Sequence, residues 1–273
     1  MTLNTLNNQT RTSTATKTKG SNPFINSVAK EKNTDGTRAS FQGVIAKGIV
    51  FVIAIVIGAM VELFLNGLPM NQVINSDGMI ANSAQLIGLA SASILVFIAP
   101  IIAFFAKRTV PVTGSIFCAS VGFMYTALAD IFVKYRSGIL LALVITVAVF
   151  AAINLVYSTG IVKVNHKFAS VVTVLFATSI IASILIGICS FIPAFSGVTA
   201  LVFASPLISI SLSILGIVVA VLFIFTDLDK IHKNIENGVS AKCEWTMAFS
   251  IVFSVIWLFM QIVSLIMRVV DFK

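Results

Sequence analysis

The sequence predicts an all-α integral membrane protein with seven transmembrane helices, and three observations predict it. The 273 residues are 58% hydrophobic and only 10% charged, against about 25% charged residues in soluble domains. Several apolar runs exceed the ~18 residues that read as a membrane-crossing helix. Polar segments rich in turn residues separate the runs, as in NGLPMNQVINSDGM at 66–79. A soluble chain this apolar could not cover its surface with polar groups.

The elements follow in order. Residues 1–43 are rich in Thr, Asn and Lys and have no apolar core. They read as a disordered basic cytoplasmic tail rather than a secretory signal peptide. The first helix, 44–65, then acts as an uncleaved signal-anchor. Helix two spans 84–106, with Pro100 expected to kink it, and Lys107 and Arg108 close it. Helix three spans 112–133 and helix four 138–159, and a short turn with Lys163 and Lys167 follows. Helix five spans 168–192. The loop 193–206 carries no charge. Helix six spans 207–228 and helix seven 245–268, so 44–273 forms one seven-helix domain.

Charge sets the orientation. The net charge is +8, and 7 of the 18 basic residues lie in the first 47 positions. With the N-terminus in the cytoplasm, the cytoplasmic segments hold 14 basic residues and the outer ones hold 4: Lys134, Arg136, Arg268 and Lys273. This bias predicts N-terminus in, C-terminus out, in a multi-pass protein of the cell membrane. A basic tail at a bilayer points to lipid headgroups, not nucleic acid.

The stretch FTDLDKIHKNIENG, 225–238, is the first place to look for function. It ends a long apolar run with two acids, Asp227 and Asp229. Leu207 to Asp227 covers about 30 Å of helix, one hydrocarbon thickness, which puts Asp227 at the cytoplasmic interface. Asp227 and Asp229 lie about 200° apart on a helix and cannot both face one site. Asp229 pairs with Lys233 at i,i+4. Asp227 has Lys230 at i+3, which is compatible with a surface pair.

Helix seven carries Ser250, Ser254, Trp257, Gln261, Ser264 and Arg268 on one continuous face. Helix six has a matching row of Ser209, Ser213, Gly216, Ala220 and Asp227. The two rows are expected to pack together, either as helix–helix hydrogen bonding or as the lining of a polar path. Asp227 would stand at its cytoplasmic mouth. Elsewhere, Glu62 is expected to snorkel or pair. Asp130 has Lys134 at i+4, and Asn154 is expected to bond between helices. Cys118, Cys189 and Cys243 have no metal-ligand spacing and are expected to be reduced. His166 and His232 form no HExxH, and no G-x-S-x-G or phosphate loop occurs. No enzyme, cofactor or metal site is expected.

Three blocks carry a family resemblance. They are Ser21–Pro23 (SNP), YSTGIVKVNHKF at 157–168, and FTDLDKIHKNIENGVSAKCEWTMAFSIVFSVIWLF at 225–259. With these the chain resembles the long bacterial branch of the Bax inhibitor-1/YccA family, the transmembrane Bax-inhibitor-motif proteins, from about residue 21 to the end. The resemblance implies seven helices with the last one central and the others wrapped around it. It also implies a pH-sensitive calcium leak, in which an acid ending helix six and an acid in helix seven share protons and close or open a pore. Asp227 matches the helix-six acid. An ungapped alignment puts Ser254 at the second acid, Gln261 where a Glu is frequent, and Val121–Gly122 where an acid–Gly pair is common. The carboxylate dyad is therefore not intact, and weaker pH gating is expected. Asp229 could substitute only if the backbone turned it inward.

Two functions follow as expectations. One is passage of calcium or protons through a path between helices six and seven, gated by Asp227 and lined by Ser254 and Gln261. The other is a non-conducting membrane protein acting through a membrane protease or other quality-control partners.

Overall fold

The computed structural model describes residues 25, 36–67, 72–74, 80–162, 164–190, 192, 197 and 205–271. Most of the tail, the SNP motif and most of the 193–206 loop lie outside the described residues. Seven long helices make up the described part of the molecule: α1 (Phe41–Asn66), α2 (Ser83–Phe105), α3 (Val110–Ile131), α4 (Val133–Ser158), α5 (His166–Ser190), α6 (Pro206–Glu236) and α7 (Glu244–Asp271). All but α5 are long and apolar enough throughout to cross a membrane; α5 has the length, 25 residues. Large apolar side chains such as Ile45, Ile53, Phe97 and Val144 stand exposed around the outside. A protein in water would bury such residues, and a bilayer accommodates them.

Local sequence explains where the helices begin. The Ser40 side chain caps α1 by accepting from the Gly43 N–H at 3.0 Å. Pro111 and Pro206 sit in the first turns of α3 and α6, where a missing N–H costs nothing. Pro100 lies inside α2. Three expectations need correction. The 66–79 loop contains half of an antiparallel hairpin, β1 (Gln72–Ile74) with β2 (Ile80–Asn82), Val73 facing Ala81. Its bonds satisfy backbone groups that a bare loop would leave to water. α4 begins at Val133, so Lys134 and Arg136 are helical rather than in a loop. α6 continues eight residues beyond Leu228, to Glu236, which leaves only residues 237–243 before α7.

α7 lies against α1, α3, α4 and α6, and its Trp257 meets Phe176 of α5 edge to face at 4.7 Å. α2 packs on α1 and α3 at the periphery. Helices α1 and α3 approach at backbone distance. A Cβ added at Gly58 would fall on the Ala119 carbonyl, and one at Gly122 on the Ile55 carbonyl. Phe249 of α7 packs edge-on against Phe51 of α1 and Phe117 of α3, at 5.7 and 5.8 Å, and joins this pair to the last helix.

The alternating helices give two ends. One holds the start of α1, the end of α6 and the start of α7. There Ala39 N–H donates to the Val239 carbonyl, and Ala241 N–H to the Thr37 carbonyl. Ser40 N–H and Lys47 Nζ both donate to the Glu244 carboxylate, at 2.8 and 2.7 Å. The other end holds Glu62, Asn66, Asp130 and Arg136. There Lys134 meets Asp271 at 2.8 Å.

Candidate ion gate between helices six and seven

The face of α6 that meets α7 is built at heptad spacing. Ser209, Ser213 and Ala220 are buried. Gly216 leaves room for the Gln261 side chain of α7, which a Cβ there would strike. The same row reaches Asp227, which is completely shielded from solvent, as is Ser254 opposite it. The Ser254 hydroxyl donates to Asp227 Oδ2. It also lies 3.0 Å from the Ser250 carbonyl one turn earlier, so the hydroxyl is oriented by its own helix as well as by the acid.

Sequence spacing alone left Asp227 compatible with a surface pair. The structure corrects this, because Asp227 and Lys230 are both buried. Lys230 acts on Asp227 and Asp229 through its charge. Asn234, also buried, continues the row one turn further. Asp227, Lys230 and Asn234 thus form a buried polar column facing the seam. Lys230 and Asn234 lie beyond the predicted end of helix six at 228, where Lys230 is expected only as a surface partner of Asp227. The signal existed: their spacings of three and four continue the alternation of the row above them. Burying a charge without compensation costs several kcal/mol, and Lys230 and the Ser254 hydroxyl together offset that cost for Asp227.

Asp229 is not part of this seam. Its carboxylate meets Lys233 Nζ at 2.6 Å, on the side of α6 where its charge also acts on Tyr157 at the end of α4. The continuous helix keeps it there. Further along α7, Trp257 packs on Phe176 and Phe223, while Arg268 Nε donates to the Ser264 hydroxyl at 3.3 Å. Ser254 and Gln261 therefore both face α6, and Asp229 does not join them.

Two other expectations are corrected. Asp130 does not pair with Lys134. It meets Arg136 at 3.0 Å and accepts from Asn66 at 3.1 Å, because helical residues 133–136 carry Lys134 round to Asp271. Asn154 bonds to the Phe150 carbonyl of its own helix at 2.7 Å rather than to a neighbour. The three cysteines form no disulfide, and no cluster of three or more His, Cys, Asp or Glu side chains occurs among the described residues.

Comparison with family models decides the family. The model described as "Bax inhibitor 1 like" matches residues 6–271. The chain belongs to the Bax inhibitor 1-like family. No curated protein and no solved structure matches it. As a Bax inhibitor 1-like protein it is a multi-pass membrane protein whose apolar helices suit a lipid bilayer. In this member the helix-six acid faces a serine.

Proposed function

We propose that this Bax inhibitor 1-like protein passes cations, calcium or protons, along the seam between α6 and α7, with Asp227 as the gate. The observation that carries the reading is the solvent-shielded Asp227 carboxylate held by Ser254 of the neighbouring helix. A membrane helix keeps a buried acid at a cost, and such acids mark ion and proton pathways. With the hydroxyl engaged the seam is closed. Opening requires Ser254 to release Asp227, which then offers its oxygens to a cation. Ser254 and Gln261 line the seam, and the end bearing Asp227 faces the cytoplasm of a cell membrane. The test is calcium flux into liposomes carrying the reconstituted protein. Asp227→Asn should lower the flux at least several-fold, and equal leak through both proteins would sink the reading.

One observation favours a second reading. The partner of Asp227 is a neutral hydroxyl, so the seam lacks the second acid that a proton-sharing gate needs. A Bax inhibitor 1-like protein with such a seam could act through other membrane proteins, such as a membrane protease, without conducting. Flux indistinguishable from empty liposomes at every pH, together with co-purification of a membrane protease, would support it.

A further inference from the structure

At the end of the bundle opposite Asp227, four helices bring together a second set of polar groups. Glu62 of α1 is completely buried, and so, nearly, is Gln85 of α2. Gln85 Nε2 donates to Glu62 Oε1 at 2.6 Å. Glu62 Oε2 is equally buried, and no protein N–H or O–H reaches it among the described residues. The Glu62 carboxyl faces the Asp130 carboxyl of α3, which Asn66, one turn further along α1, reaches at 3.1 Å. Asp130 is already furnished with donors: Arg136 Nη2 of α4 at 3.0 Å and Asn66 Nδ2 of α1 at 3.1 Å.

Glu62 Oε2 thus meets an acceptor rather than a donor. A proton held between two carboxyls buried against each other satisfies both: the protonated one donates and the ionised one accepts. The arginine and the asparagine already serve Asp130, and among the described residues no third His, Cys, Asp or Glu joins the two acids. We infer that Glu62 carries a proton on Oε2 and donates it to the Asp130 carboxylate, making a buried proton-binding site at the end of the bundle away from Asp227. Among the described residues the charged and titratable groups facing it are Asp130 and Arg136. Lys134 is turned away to Asp271. Loss of the proton leaves two carboxylates against one guanidinium. The repulsion acts between α1 and α3, beyond the tight glycine contact that joins them.

Difference infrared spectroscopy of the purified full-length protein during a pH change reads this directly. The native protein should show a protonated-carboxyl C=O band at neutral pH that disappears as the pH is raised. Glu62→Gln removes the acid and should abolish the band. Asp130→Asn supplies an amide donor to Glu62 Oε2, leaves Glu62 ionised, and should abolish it too. Asp227→Asn should leave it in place. A band that survives both Glu62→Gln and Asp130→Asn, or one lost only in Asp227→Asn, overturns the inference, as does its absence from the native protein. Hydrogen exchange gives a second readout for variants of native helical content. After correction for the intrinsic pH dependence of exchange, amides of residues 58–66 should lose protection as the pH rises in the native protein, and Glu62→Gln should abolish that loss. An equal loss of protection in both would also overturn it.

Discussion

Asp227 keeps its place because a hydroxyl on another helix is aimed at it and a lysine one turn away lies in the same buried row. Removing the hydroxyl tests the first half of that statement. Ser254→Ala leaves the carboxylate short of a donor and should cost about 1–2 kcal/mol, seen as a lower midpoint of thermal unfolding in detergent. Adding an acid tests how the seam responds to pH. Ser254→Asp sets two carboxyls face to face, and two like charges at one site cannot both stay ionised at low cost. At acid pH one proton joins them. As the pH rises the pair repels, so hydrogen exchange along 223–234 and 250–258 should climb with pH more steeply than in the native protein. Much of this was visible in the residues. The Ser254–Asp227 meeting follows from two heptad rows and one loop. The Glu62–Asp130 contact does not, because Glu62 and Asp130 belong to helices whose relative height is set by Gly58 and Gly122. No periodicity within either helix encodes that height.

Glycines do for α1 and α3 what side chains do for the other contacts. Gly58 and Gly122 each lie over a backbone carbonyl of the opposite helix, where nothing can move aside. Gly122→Ala should therefore push the helices apart and cost about 1–3 kcal/mol, whereas Gly48→Ala, which meets open space, should leave the unfolding midpoint unchanged. Helix ends were harder to locate than helices. Hydropathy reports where lipid stops, not where backbone hydrogen bonding stops. α6 outlives its apolar run because Asp229 and Lys233 pair along the helix and Ile231 is buried beneath them. α4 starts early because only Phe132 separates it from α3, too short a link for a charged loop.

The molecule as a whole is assembled on its last helix, which packs against α1, α3, α4, α5 and α6. That arrangement was legible only through the family resemblance, since the polar row on helix seven says that the helix is surrounded but not by what. The distribution of basic residues predicts a cytoplasmic N-terminus and a C-terminus outside. Single cysteines at Lys107 and Lys273, introduced into a cysteine-free background, should label from opposite sides of the membrane with an impermeant thiol reagent. Labelling from the same side would overturn the orientation. The clasp made by Glu244 with Ser40 and Lys47 also has a consequence for how the chain is made. Synthesis delivers α1 first and Glu244 some two hundred residues later. The early helices can meet through their glycines while the ribosome is still working, but the clasp cannot close until the final helix has left it. Glu244 thereby acts as a completion mark. A nascent chain arrested before residue 244 should leave the Lys47 amine free to react with an amine reagent, and the finished protein, with that amine engaged, should react more slowly.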